Sequence, residues 1–365
     1  MIFVRGRKPE ADAIRRVVVR GTNWVGDAVM TISALRELRR VLPHAHITLA
    51  TRSWARGLFR DADFIDEILV YDRRARDLRA VARQVREWRR RRFDLAVLFP
   101  NAFEAALIAA GARVPLRLGY ATEGRRALLT HPILPPPWKD ERHEIFYYLN
   151  LIGELERILY GASNVEGHEP LYTLAVPGEH QLKAHEMLMA HGARRGRPLV
   201  ALCPGSINSR AKRWPADRYA ALADRLIEET GADVALIGSR DEEEVAREVG
   251  TQMRREPLML VGRTDLAEAV AILSVADLVV TNDTGPAHVA SALGCPTLVI
   301  FGPTNPATTR PYSDASRIIR HPPECAPCML RDCPIDHRCM TAISVDEVFA
   351  QSISMIEQHP AEVQT

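Results

Sequence analysis

Arg16-Val-Val-Val-Arg-Gly-Thr-Asn-Trp-Val-Gly-Asp27 is the stretch on which the fold turns. A β-branched run stops at Gly21, a short turn carries a second glycine at Gly26, and a helical apolar period follows over about 27–41. Valine-rich runs favour the pleated strand and a 3.6-residue period favours the helix, so the stretch reads as strand, turn, helix. Further strand-like runs stand at 46–50, 65–71 and 95–99, each followed by a helical pattern or a turn. Such alternation predicts a parallel sheet covered on both faces. Before the last of these runs lies a helix with Leu78, Val81, Val85 and Trp88 on one side and arginines elsewhere, ending in Arg89-Arg90-Arg91-Arg92. That basic face reads either as a solvated surface or as one attracted to an anionic membrane.

Over 171–181 (LYTLAVPGEHQ) the pattern loosens, and a second alternation opens at 198–202. Its strands are expected at 233–237, 257–261, 278–281 and 297–301, with helices from about Ala216, Asp241, Asp265 and Gly285. The expected fold class is therefore α/β, with one Rossmann-like domain over 1–178, a second over 179–345, and a C-terminal helix and tail over 346–365. Residues 132–138 (PILPPPW) read as a stiff connector. In open α/β sheets ligands bind beyond the carboxyl ends of the strands, so two such sheets facing each other would form a site in the cleft between them.

The chain has 365 residues, 47% hydrophobic and 26% charged, which suits two globular domains and argues against disorder or a coiled coil. Forty-eight basic residues against 46 acidic ones give a formal +2, too balanced for a dedicated nucleic-acid binder. The N-terminal residues lack an apolar secretory core, and no run approaches the ~20 apolar residues of a spanning helix, so a cytoplasmic protein is expected. Only four lysines occur, Lys8, Lys139, Lys183 and Lys212. One kept inside a motif is worth following.

Three motifs sit directly after strands. In Gly21-to-Asp27 a carboxylate stands near a helix start without the G-x-G-x-x-G spacing of a dinucleotide fingerprint. Asp27 is then either a residue stabilised by the helix dipole or a general base aimed at an acceptor hydroxyl. Cys203-Pro-Gly-Ser206 leads into a loop with Lys212, Arg213 and Pro215, a candidate phosphate cradle or an ordinary basic loop. Thr281-Asn-Asp-Thr-Gly-Pro-Ala-His288 runs from strand to helix; Thr284, Gly285 and backbone N–H groups suit a pyrophosphate on the positive helix end, with His288 one turn in. The plain alternative makes Asp283 an N-cap and His288 a packed histidine.

Taken together, NWVGD, PGS…AKRWP, GSRDEEE (238–244) and TNDTGPAH occur in an order and spacing that resemble the bacterial ADP-heptose:lipopolysaccharide heptosyltransferases over nearly the whole chain. Phe99-Pro-Asn-Ala-Phe103 and the 119–130 segment resemble the type II branch of that family. The resemblance implies a glycosyltransferase-B fold, an acceptor-binding N-terminal domain, an ADP-heptose-binding C-terminal domain, and inverting transfer without a catalytic metal or other cofactor. It implies Asp27 as base and Lys212 as phosphate partner. Ser206, Lys212, Arg213, Asp283, Thr284, Gly285 and His288 fall at the donor, with Asp241 or Glu242 at its ribose because Arg240 occupies the nearest equivalent position. Asn23, Trp24, Asn101 and Arg125 fall at the acceptor. The implied partners are ADP-heptose, a lipid A–core oligosaccharide and the cytoplasmic face of the inner membrane, with no nucleic acid. A heptosyltransferase with another acceptor, such as a protein hydroxyl or a different core sugar, and a nucleotide-sugar epimerase on the same fold are the rival readings.

One feature lies outside that chemistry. Cys325, Cys328, Cys333 and Cys339 are spaced C-x2-C-x4-C-x5-C, which admits a structural zinc or iron–sulfur site, reduced thiols or a disulfide. Cys203 and Cys295, beside strands, read as small buried residues.

Overall fold

A computed structural model describes residues 9–72 and 77–358. The chain divides into two compact units, Met1–Tyr172 and Thr173–Thr365. In the first, strands β1 Arg16–Arg20, β2 His46–Thr51, β3 Glu67–Val70, β4 Leu95–Leu98, β5 Leu116–Tyr120 and β6 His131–Ile133 form one parallel sheet in the order β3-β2-β1-β4-β5-β6. Its helices are α1 Val25–Met30, α2 Ile32–Val41, α3 Arg56–Phe59, α4 Leu78–Arg91, α5 Phe103–Gly111 and α6 Glu144–Tyr160. Val17, Val18 and Val19 of β1 are wholly buried, as expected of a central parallel strand with helices on both faces.

The second unit repeats the design. Strands β7 Leu199–Cys203, β8 Asp233–Leu236, β9 Leu258–Met259, β10 Leu278–Asn282, β11 Thr297–Phe301 and β12 Ser316–Arg320 are parallel in the order β12-β11-β10-β7-β8-β9. The helices are α7 Gly178–Ala190, α8 Ala216–Thr230, α9 Glu243–Gln252, α10 Leu266–Leu273, α11 Gly285–Ala292, α12 Pro306–Thr309, α13 Arg338–Thr341 and α14 Val345–Gln358. Counted from its own first strand, each sheet runs 3-2-1-4-5-6, with the order reversing between strands 1 and 4. Ligands of doubly wound sheets bind at that reversal. In the first unit it lies at the exits of β1 and β4, which lead to Asp27 and Asn101; in the second it lies at the exits of β7 and β10, which lead to Ser206 and Asp283.

Several expectations are corrected. The helix expected over 27–41 begins at Val25 and breaks at Thr31, whose hydroxyl donates to the Ala28 carbonyl at 2.7 Å and competes with the helical ladder. Part of the 132–138 connector is an edge strand: Pro132 pairs with Gly119 on the rim of the sheet, where the missing N–H is tolerated. Leu78 is 80% exposed, whereas Trp88 is buried and Val81 and Val85 pack against the core around Val18, Phe93, Ala106 and Ile108. The division falls at Tyr172–Thr173 rather than after 178, because Leu174 already donates its N–H to Ala292 of the second unit. Helix α14 packs on α8 and β10, so it is part of that unit, and residues 359–365 of the expected tail lie outside the described residues. No helix among the described residues is long and apolar enough to cross a membrane.

Candidate active site

In the second unit the site grows from the ends of β7 and β10. Asn282 is fully buried and ties the two exits together: its Nδ2 donates to the carbonyls of Pro204 (2.8 Å) and Gly205 (3.3 Å), while its Oδ1 accepts from the Trp214 N–H (3.0 Å) and the Tyr219 hydroxyl (3.2 Å). Trp214, itself buried, anchors the loop by donating its indole N–H to the Ile343 carbonyl at 3.0 Å. Lys212 leaves that loop in a short 3-10 turn, Arg210–Lys212, and points its ammonium at the following motif. Its Nζ donates to Asp283 Oδ2 at 2.8 Å and to the Asp283 carbonyl at 3.0 Å. The Asp283 side chain is 3% exposed and that of Lys212 is 26% exposed, so the pair is buried on the acid side and open on the amine side. Thr304 completes it, donating its hydroxyl to Asp283 Oδ2 at 2.6 Å.

Asp283 is therefore not the helix cap; its Oδ2 and carbonyl fix Lys212. The residue at the cap position of α11 is Thr284, in extended conformation with no side-chain cap bond, and Pro286 brings no N–H to the first turn. Thr284, Gly285 and Pro286 are partly exposed at that helix start, whereas His288 is buried one turn in. Ser206 is buried, and the Arg213 guanidinium donates to its carbonyl, at 3.2 Å from Nε and 2.9 Å from Nη2. Of the two acids considered at 241–242, Asp241 is exposed, while Glu242 folds back in a capping box on Ser239, its Oε2 accepting from the Ser239 N–H at 2.9 Å. Its carboxylate lies so close to Gly205 that a Cβ there would collide with it, which brings Glu242 to the exit of β7.

In the first unit, Gly21 lets β1 leave its sheet beside β2, where a Cβ would stand 3.0 Å from Thr51 Oγ1. Asn23 and Trp24 are exposed on the turn, Trp24 by 51%, and Asp27 is the third residue of α1, partly exposed. Glu144, the first residue of α6, is within electrostatic reach: burial, then the Asp27 charge, pushes its carboxyl up to about 7. Asn101, at the exit of β4, donates to the Tyr147 hydroxyl at 2.9 Å and accepts from Arg125 Nη2 at 3.0 Å.

Arg125 is not an acceptor contact. It is wholly buried, and its guanidinium also donates to the carbonyls of Tyr120 at 2.8 Å, Pro100, and Ala102 at 3.4 Å. Desolvation lowers its pKa to about 10. It braces the loop that carries Asn101. Nothing local in the sequence marked Arg125 as buried, nor Asn282, Thr304 and Glu144 as members of these arrangements; only the order of the strands brings them to the reversal points.

The cysteine-rich segment packs on the Lys212 loop. Ser209 Oγ donates to the Arg331 carbonyl at 3.2 Å, the Ala211 N–H to the same carbonyl at 2.9 Å, and His337 Nε2 to the Ala211 carbonyl at 2.6 Å, while Arg210 pairs with Asp332 at 2.7 Å. The four thiols line one small pocket, yet among the described residues no group of three or more His, Cys, Asp or Glu side chains is placed to hold a metal ion. The zinc or iron–sulfur expectation thus lacks support: Cys325 is exposed, Cys339 is buried in the core, and Cys333 Sγ accepts the His337 N–H at 3.3 Å. Cys203 and Cys295 are buried free thiols.

Comparison with known proteins fits this arrangement. Glycosyltransferase family 9 (heptosyltransferase) matches residues 81–338, a span that includes Asn101, Lys212, Asp283 and His288. The chain is 32% identical over 318 residues to lipopolysaccharide heptosyltransferase 2 of Salmonella typhimurium, covering 84% of this chain and 88% of that one. It is 31% identical over 320 residues to lipopolysaccharide heptosyltransferase 2 of Escherichia coli, with the same coverage. The solved structure of E. coli ADP-heptose lps heptosyltransferase II superposes with a TM-score of 0.80 at 27% identity, covering 95% of this chain and 100% of that one. Two Rossmann-like units of the glycosyltransferase-B class, with candidate site residues at the reversal point of each sheet, make this chain a glycosyltransferase that belongs to family 9, the heptosyltransferase family.

Proposed function

We propose that the protein is an inverting heptosyltransferase of the type II kind, moving heptose from ADP-heptose to a hydroxyl of the lipopolysaccharide inner core. The observation that carries this reading is the Lys212 ammonium, clamped by buried Asp283 beside the start of α11. A departing ADP gains negative charge as its bond to the sugar breaks, and a fixed ammonium next to the positive end of a helix stabilises that charge. No cofactor is called on. Glu242 at the exit of β7 takes the ribose hydroxyls, and Ser206, Thr284, Gly285 and His288 line the donor phosphates and sugar. Asp27 removes the proton of the acceptor hydroxyl as its oxygen attacks the anomeric carbon from the side opposite ADP. Asn23, Trp24 and Asn101 receive the acceptor. A lipid-linked acceptor places the reaction at the cytoplasmic face of the inner membrane.

The test is incubation with ADP-heptose and core-truncated lipopolysaccharides, with ADP release and product mass as readouts. Acceptor-dependent ADP release with a mass gain of one heptose is expected. Isomerised donor would indicate an epimerase, and binding without turnover a binding protein. Asp27→Ala is expected to lower turnover by ~10²–10⁴-fold with ADP-heptose affinity nearly unchanged.

A further inference from the structure

The two units differ in charge. Met1–Tyr172 carries 29 Lys and Arg against 21 Asp and Glu, a formal +8, whereas Thr173–Thr365 carries 19 against 25, a formal −6. The excess of the first unit is local. Residues 73–92 (RRARDLRAVARQVREWRRRR) hold ten arginines and two acids, so the remainder of that unit is neutral. A preference for arginine over lysine would account for the residue type but not for the missing acids.

Helix α4 shows how this charge is displayed. Ala80 and Trp88 are buried, and Val81 and Val85 face the core. On the opposite side Arg79, Arg83, Arg86 and Arg90 stand exposed at i, i+4, i+7 and i+11, one row about 16 Å long at 1.5 Å per residue. Glu87 pairs with Arg90 at 2.8 Å and with Arg91, while among the described residues no acid meets Arg79, Arg83 or Arg86. Leu78, 80% exposed, stands in the first turn of the helix, on the flank between the row and the packed face.

We infer that this face of α4 is a docking surface for anionic phospholipid headgroups. The row is convex and stiff, which suits a flat array of phosphates better than a single small anion needing enclosure. Guanidinium groups pair with phosphate oxygens two at a time, and Leu78 can enter the headgroup region beside them. Single-stranded nucleic acid is the less suited polyanion, since its binders interleave exposed aromatic rings with the cations and the one aromatic residue of α4, Trp88, is buried. The inference rests on the reading above that the acceptor is lipid-linked, and it gives the acceptor-binding unit the side on which it meets the bilayer.

The test is co-sedimentation of the full chain with vesicles of phosphatidylcholine alone or mixed with phosphatidylglycerol, free of lipopolysaccharide. Wild type should partition onto the mixed vesicles, release with added salt and ignore neutral ones. Replacing Arg79, Arg83, Arg86 and Arg90 together by Gln should weaken partitioning by roughly tenfold or more, while the corresponding four Lys replacements keep it. The Gln variant should retain wild-type melting and wild-type turnover on detergent-dispersed acceptor. Equal partitioning of wild type and the Gln variant, indifference of wild type to phosphatidylglycerol, or tighter binding to single-stranded RNA than to the mixed vesicles would each overturn it. Vesicle binding that persists in a protein without transferase activity would leave this surface standing and remove the transferase reading instead.

Discussion

Replacing Arg125 by Met tests whether a cation from the 119–130 motif serves the substrate or the fold. The guanidinium is wholly buried and donates to the Tyr120 carbonyl at 2.8 Å, the Asn101 side chain at 3.0 Å, the Pro100 carbonyl and, more weakly, the Ala102 carbonyl at 3.4 Å. Met fills much of the same volume and donates nothing, so three short bonds vanish and their oxygens stay buried. At about 1 kcal/mol for each hydrogen bond lost, with the Tyr120 carbonyl keeping the Thr122 N–H, the loss is about 3 kcal/mol. For a unit of this size 1 kcal/mol moves the midpoint by roughly 2–4 °C, so the transition of the first unit should fall by roughly 6–12 °C. Differential scanning calorimetry reads the shift, and initial rates against acceptor concentration, measured well below the transition, read the site. Arg125→Lys keeps the charge but serves fewer oxygens, and should fall between the two. A variant that melts with wild type yet shows a raised acceptor KM would refute the reasoning, because it would mean that the guanidinium reaches substrate.

Lys212→Ala should lose both ADP affinity and rate, with Lys212→Arg a partial rescue because a planar fork replaces a compact ammonium; calorimetric titration with ADP at wild-type affinity would remove Lys212 from the site. Asp283→Asn should imitate much of that loss, and the double variant should fall short of additivity by about 0.5–3 kcal/mol, since both changes break the 2.8 Å pair. Glu144, lifted to about 7 by burial and then by Asp27, binds more protons folded than unfolded between its ordinary value of 4.5 and 7. Its contribution to stability is therefore complete below about 4.5 and lost as pH rises through 7, by up to about 3 kcal/mol, so Glu144→Gln should gain on wild type in melting scans from pH 5 to 8. A difference between the two that does not change with pH would contradict this.

Alternation of strand and helix was legible because each central strand is a short apolar run bounded by turn residues, Val17–Val19 and Leu199–Cys203 being the clearest. The strands that reading missed are β5, β6 and β12: β5 is a short run broken by Arg117 and Gly119, β6 on the rim contains a proline, and β12 on the other sheet's rim has arginines at both ends of Ile318 and Ile319. Motif positions were legible for the same topological reason, since whatever follows strands 1 and 4 of each sheet reaches its ligand edge. Side-chain partners were not. Lys212 and Asp283 are 71 residues apart, and Arg125 finds two of its three carbonyls on a loop 23 to 25 residues earlier. Cysteine spacing likewise records distance along the chain and not direction in space: four thiols within 15 residues line a pocket, yet among the described residues they are not placed as a metal-binding group.

The docking of 325–339 on the Lys212 loop also couples events that share no ligand contact. With the Ala211 N–H held by Arg331 and its carbonyl by His337, the loop and the segment open together or not at all. Solvent exchange at the Ala211 amide then requires the segment to lift, and the Met329 amide, bonded to the Pro303 carbonyl, opens in the same excursion. A nucleotide that binds only the closed arrangement slows that opening by the factor 1 + [L]/Kd. If Lys212 holds the donor phosphates as proposed, nucleotide occupancy is read in deuterium uptake along a cysteine-bearing strap outside the proposed site residues.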